Sequence, residues 1–161
     1  MAPSMVKVIE NNIKNGNEEM RFFEMSNIYL PKALPLTEPP VEKKVLCLGT
    51  CGAEEDFFAL KETLEYFAGY NDLTFSYRKG NVPYLHPGRT AEVYCKGEKI
   101  GHFGLLRYEI VDNMNIAAGK KADTKIFIAE IDYSVLADLF KTAIKYTPET
   151  GFKGNCRDIS V

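Results

Sequence analysis

Apolar residues recur along this chain in two rhythms, and the switches between them mark its elements. Between Ser4 and Lys14, Met5, Ile9 and Ile13 fall at helical spacing. This predicts a helix with Ser4 as its N-cap and the Asn15-Gly16-Asn17 stretch as its stop. The rhythm then changes to period two in "MRFFEMSNIYL", with Phe23, Met25, Asn27 and Tyr29 on one side and Phe22, Glu24, Ser26 and Ile28 on the other, the pattern of a long strand. Four prolines between Pro31 and Pro40 remove the backbone donors that a helix or central strand needs, so a surface loop follows. "KKVLCLGTC" predicts a second strand. In "AEEDFFALKETLEYFAGY" the helical spacing of Phe57, Leu60, Leu64 and Phe67 returns, with Glu54, Glu55 and Asp56 expected in the first turn.

"LTFSYR" predicts a short strand, and "AEVYCKGEKIGHFGLL" two strands joined at the Lys96-Gly97-Glu98-Lys99 turn. A short helix is expected within Arg107 to Asn115, an apolar strand at "KIFIAEID", and a last helix from Ser134 to Lys145 carrying Val135, Leu136, Leu139 and Phe140 on one side. Strands outnumber helices and the alternating βαβ order is absent, so the expected class is α+β, a largely antiparallel sheet with helices on one face. Length supports one domain over 1–161. No repeat or low-complexity segment interrupts it.

Charge changes the picture mainly by exclusion. Twenty basic against 22 acidic side chains give a net charge of −2, which argues against a domain built chiefly to neutralise nucleic-acid phosphates. No apolar run approaches the ~20 residues of a spanning helix, and the polar start "MAPSMVKVIENN" lacks a signal-peptide core. A soluble, cytoplasmic protein without membrane contact is the expectation. Cys47, Cys51, Cys95 and Cys156 are too few and too scattered for a disulfide framework. Cys47 and Cys51 have no second ligand pair at zinc spacing, so they read as reduced core thiols, with no metal site.

The candidate chemistry centres on "PYLHPGRTAE". His86 and Arg89 beside Pro87-Gly88 suit an anion or a substrate carboxylate; equally, a tight turn can employ both side chains against nearby backbone. Glu130 sits in an apolar strand, where a carboxylate must find a partner or shift its pKa, so it reads as an acid or base or as a structural ion pair. His102 reads as a surface or edge residue. The Glu54-Glu55-Asp56 run suits either a cation or a solvated helix start, and the glycines of "GHFGLLR" suit either a nucleotide or close strand packing.

Four segments in order, "NGNEEMRFFEMSNIYLPK" (15–32), "DFFALKETLEYF" (56–67), "YLHPGRTAEVYCKGEKIGHFGLL" (84–106) and "FKGNCRDISV" (152–161), resemble the C-terminal, catalytic-like part of the bacterial phenylalanine-tRNA ligase beta subunit. That family has a strand of the type R-L-F-E-I-G, then D-F-F-x-L-K-G, H-P-G-R-S-A with a Gly hairpin, and R-R-D-I-A. The resemblance implies a class II synthetase-like antiparallel sheet flanked by helices, within a longer subunit. Residues 151–161 would begin the connection to an anticodon-binding domain. It also implies partners: an alpha subunit in an α2β2 tetramer, and tRNA(Phe) through that complex, with ATP and Mg used at the alpha-subunit active site and no cofactor in this chain.

Catalytic residues are expected to be absent here. A class II site uses an F-R-x-E strand, whereas Arg21-Phe22-Phe23-Glu24 puts the pair at an odd separation, which sends them to opposite faces. The family's H-P-E after the hairpin is replaced by Arg107-Tyr108-Glu109, and its proline after Phe152 by Lys153. His86 and Arg89 then read as a structural signature that fixes the turn before the hairpin, with Glu130 a weaker candidate. The alternative is a small-ligand-binding or enzymatic domain with a His86/Arg89 site. A homodimer through an exposed surface is a further possibility.

Overall fold

Residues 126–132, IFIAEID, are apolar at almost every position, and such a strand has to be covered on both sides. The computed structural model, which describes residues 1–116 and 124–140, places this strand inside a six-stranded antiparallel sheet. The described elements are α1 (Ala2–Lys14), β1 (Met20–Leu30), β2 (Val41–Cys51), α2 (Phe57–Tyr70), β3 (Phe75–Lys79), β4 (Leu85–Cys95), β5 (Glu98–Leu106), α3 (Tyr108–Asp112), β6 (Ile126–Asp132) and α4 (Tyr133–Leu139). The sheet order is β1-β2-β6-β5-β4-β3. The α+β class is therefore observed.

Helices cover both faces, not one. Ile126 and Ile128 on β6 and Cys47 and Cys51 on β2 pack with Met5, Ile9 and Ile13 of α1 and with Val111 of α3. Phe127, Ala129 and Ile131, one residue out of phase, pack with Leu60 and Leu64 of α2 and Leu136 of α4. Side chains alternate across a strand, so apolar residues at both parities demand two helical layers. α1 presses close: a Cβ at Gly49 would lie 2.5 Å from Met5 Cγ. The small residue lets the helix sit directly on β2.

Three local expectations are corrected. α1 starts at Ala2, with Met1 as N-cap and Pro3 in its first turn, because Pro supplies the helical φ and has no N–H to lose there; Ser4 lies inside the helix. Glu54, Glu55 and Asp56 precede α2, and Asp56 is its N-cap, accepting from the Ala59 amide at 2.7 Å. The "LHPGRT" stretch is part of β4 and not a tight turn. Between the pairs Leu85↔Leu106 and Thr90↔Gly104 the register shifts, so β4 carries additional residues relative to β5 and bulges. The hairpin that follows turns on Lys96 and Gly97, both at positive φ, as a two-residue primed turn requires. The last helix is seen as Tyr133–Leu139; its expected continuation to Lys145, Cys156 and the "FKGNCRDISV" segment lie outside the described residues.

Cys47, Cys51 and Cys95 are buried free thiols. Burial first, and neighbouring carboxylates second, push the Cys47 thiol up to about 12 and Cys51 to about 11. Neither is poised for chemistry, in keeping with their reading as core residues.

Candidate functional site

The polar centre of the fold is assembled by strand register. β5 and β6 pair so that His102 lies directly beside Glu130, on the sheet face covered by α1. The Glu130 carboxylate accepts from the Ala2 amide at 2.7 Å and pairs with the Met1 amino group at 2.8 Å through Oε1. Through Oε2 it accepts from the Tyr84 hydroxyl at 2.7 Å. Glu130 thus caps α1 from across the sheet, the carboxylate lying where the helix dipole is positive. Tyr84 Oη also lies 2.6 Å from His102 Nε2. The single hydroxyl proton is committed to Glu130, so Nε2 carries a proton and donates it to the phenol oxygen.

Burial alone would raise the Glu130 pKa. His102, whose Nε2 lies 3.5 Å from Oε2, together with the hydrogen bonds from the amino group, Tyr84 and the Ala2 amide, outweighs it and holds the carboxyl well below the usual carboxylate range. Burial, reinforced by the bond to Glu130, pushes the Tyr84 phenol well above its ordinary value. A carboxylate held ionised by three or more donors is a poor general base and a poor acid at neutral pH. Of the two readings of Glu130, the ion-paired, hydrogen-bonded one describes this arrangement. Glu10 plays a similar part further along α1, accepting from Lys7 at 2.8 Å and from the Asn115 amide at 2.8 Å. Those two contacts, Lys7 foremost, lower its pKa from 4.5 to about 2.

His86 and Arg89 do not converge. His86 Nδ1 accepts from the Gly88 amide at 3.1 Å, its carbonyl accepts from Thr90 Oγ1 at 2.6 Å, and its ring meets Tyr108 edge-on at 5.8 Å between centroids. It organises the β4 bulge. Arg89 instead lines a cleft of about 510 Å³ with Asp56, Phe57, Phe58, Lys125 and Phe127, and His86 is not part of that lining. Its guanidinium has no hydrogen-bond or ion-pair partner among the described residues, so it does not fix the bulge. Arg89→Ala is accordingly expected to leave the unfolding midpoint in urea unchanged, a stability change within about 0.5 kcal/mol; a larger loss would restore Arg89 as a structural residue.

The remaining motifs resolve into structure. Arg21 pairs with Glu55 at 2.6 Å, and the unbroken β1–β2 ladder, Arg21↔Thr50 through Glu24↔Cys47, puts Arg21 and Glu24 on opposite faces. Arg107, after "GHFGLL", donates to the Leu85 carbonyl at 3.1 Å. Its glycines serve close packing, since a Cβ at Gly101 would lie 2.2 Å from the Glu130 carbonyl oxygen. Among the described residues no acidic, His or Cys group is arranged to hold a metal ion, and no helix is long and apolar enough to cross a membrane. The Tyr84–His102–Glu130 cluster was not legible in the sequence. Its only signal was a carboxylate inside an apolar strand, and partner identity came from register.

Comparison with known proteins gives a consistent result. The profile described as the phenylalanyl tRNA synthetase beta chain CLM domain matches residues 1–133. Among curated relatives, the phenylalanine–tRNA ligase beta subunit of Clostridium acetobutylicum is 29% identical over 98% of this chain. That of Clostridium tetani is 31% identical over 98%, and that of Staphylococcus aureus 24% identical over 100%. The chain spans 19–20% of the length of these relatives. Among solved structures, a pyrrolysyl tRNA synthetase, Desulfitobacterium hafniense PylSc, superposes with a TM-score of 0.62 at 13% identity, covering 86% of this chain and 48% of that one. That likeness establishes the fold, a class II synthetase-like antiparallel sheet with flanking helices.

Proposed function

Because the chain belongs to the phenylalanyl-tRNA synthetase beta chain CLM domain family, we propose that it serves as a non-catalytic, catalytic-like module from the C-terminal part of a phenylalanine–tRNA ligase beta subunit. In this reading it packs against an alpha subunit, supports that subunit's active site and helps to assemble the tetramer. The tetramer charges tRNA(Phe) with phenylalanine at the expense of ATP, in the cytoplasm. ATP and Mg belong to the alpha-subunit site, where they supply adenylate chemistry; this chain takes no cofactor.

The observation that carries the reading is the split between Arg21 and Glu24. A class II nucleotide site needs a guanidinium and a carboxylate converging from one strand face, and here they diverge, with Arg21 held by Glu55. A second polar centre, Glu130 with Tyr84 and His102, is taken up in capping α1. Neither of these two leaves a free acid or base. Calorimetry of the chain with ATP and phenylalanine is expected to give no saturable heat, and micromolar binding of either would sink the non-catalytic assignment. Co-expression with a bacterial alpha subunit, followed by sizing, is expected to yield a co-eluting complex; failure to associate would remove the scaffold role.

A further inference from the structure

Two unpaired cations share one cleft. Arg89, turned there by the β4 bulge, and Lys125, just before β6, line the space of about 510 Å³ together with Asp56, Phe57 and Phe58. Both cations are exposed, and neither has a hydrogen-bond or ion-pair partner among the described residues. The carboxylate beside them is engaged elsewhere, because Asp56 Oδ1 caps α2 through the Ala59 amide at 2.7 Å. Arg89 and Lys125 against Asp56 leave a surplus of one positive charge here, in a chain whose net charge is −2. Phe58 of α2 stands next to them, 71% exposed. A free guanidinium beside an exposed phenyl ring has the composition of an anchor point for another protein, where arginine and aromatic side chains carry most of the binding.

We propose that this cleft docks a carboxylate side chain of a protein partner, with Arg89 and Lys125 holding the carboxylate and Phe58 packing against an apolar residue next to it in the partner. A planar carboxylate accepts two parallel N–H bonds from a guanidinium, and its single charge matches the surplus in the cleft. The walls are too exposed to enclose a metabolite, which needs most of its surface covered, whereas a protein brings its own cover. A chain of phosphates is disfavoured by what lies across Phe58. The adjoining groove shares Asp56 and Phe58 and adds Glu54, Glu62 and the Lys61–Glu65 pair, so successive phosphates would run into like charge. Free phenylalanine, a zwitterion without net charge, and ATP, a polyphosphate, are poor ligands for the same reasons. The docking site therefore goes beyond the synthetase reading and does not rest on it, since it stands whether or not the chain joins an alpha subunit.

Nuclear magnetic resonance titration of the 161-residue chain with the blocked tripeptide acetyl-Phe-Glu-Leu-amide tests it. The expected result is saturable shifts, in the millimolar range, confined to the amides around Arg89, Lys125 and Phe58. The Gln counterpart of the peptide is expected to bind roughly tenfold more weakly, the loss of one charge-assisted contact. Arg89→Ala is expected to weaken the Glu peptide by a similar factor with the fold intact. Arg89→Glu is expected to reverse the preference, so that the Lys counterpart binds better than the Glu peptide, which a merely structural arginine would not bring about. Absence of shifts at the cleft, equal binding of the Glu and Gln peptides, or an unchanged preference in Arg89→Glu overturns the proposal. An oligothymidine of about ten nucleotides that binds the cleft more tightly than the Glu peptide also overturns it, and assigns the cleft to a phosphate backbone.

Discussion

Alanine at Gly101 or Gly104 is expected to destabilise the protein by roughly 3 kcal/mol each, a fall in Tm on the order of 10 °C for a chain of this size. At Gly101 an added Cβ would lie 2.2 Å from the Glu130 carbonyl oxygen and 3.0 Å from Ile131 Cα. At Gly104 it would lie 2.3 Å from the Arg89 carbonyl oxygen and 3.0 Å from Thr90 Cα. These obstacles are backbone atoms of the neighbouring strands, so relief requires spreading the sheet at its centre, where Phe103, Leu105 and Ile131 are fully buried. Gly69 is the control. It lies in α2, and a Cβ added there would meet nothing within 4 Å, so alanine should raise stability by about 0.5 kcal/mol. Thermal unfolding of the three variants decides the matter: if the Gly101 and Gly104 variants melt within about 2 °C of the native chain, the close-packing account of "GHFGLL" is wrong.

The second large effect concerns Glu130. Glu130→Ala removes the cap of α1 and leaves Tyr84 and the Met1 amino group without their acceptor, at an expected cost of about 2 kcal/mol. The figure stays below that for a fully buried pair because the side chain is 18% exposed and water reaches it. Glu130→Gln keeps an acceptor for Tyr84 but not the charge, and should cost less. The charge also sets a pH dependence. In the folded chain the carboxyl titrates well below the ordinary value, and in the unfolded chain near about 4.3. The unfolded state therefore binds the proton first, so the stabilisation is present in full above the unfolded value and is lost as pH falls below it. Glu10 acts with the same sign, between 4.5 and about 2. Urea unfolding should show stability falling from about pH 5 downward, with a shallower fall in Glu130→Gln. An unchanged slope in that variant would show that Glu130 is not held ionised by its neighbours.

Both effects arise from the central position of β5. Its pairing with β4 sets Gly104, and its pairing with β6 sets Gly101, against backbone that tolerates no side chain, and the β5–β6 pairing delivers His102 to Glu130. The same strand pair carries the core on its two faces, so the polar cluster is positioned from within the packed core. Held there by its neighbours, Glu130 caps the start of α1.

Local rules were sufficient for much of this. The period-two runs at Met20–Leu30 and Ile126–Asp132, the helical spacing in α2, and the Lys96-Gly97 turn are each specified by residues close together in the chain, so the sequence alone determined that these elements exist and that the class is α+β. The odd spacing of Arg21 and Glu24 likewise determined their divergence, because strand alternation is a property of the backbone. What the tertiary structure alone decided depends on pairing between distant segments. Register brought His102, Tyr84 and the start of α1 to Glu130, and the bulge turned Arg89 into the Asp56–Lys125 cleft while His86 stayed with Tyr108. Sheet order left β1 at one edge of the described sheet and put helices on both faces. A strand's sequence states which of its side chains share a face; which strand lies beside it, and so which partner each side chain meets, is set by long-range packing that no local pattern contains.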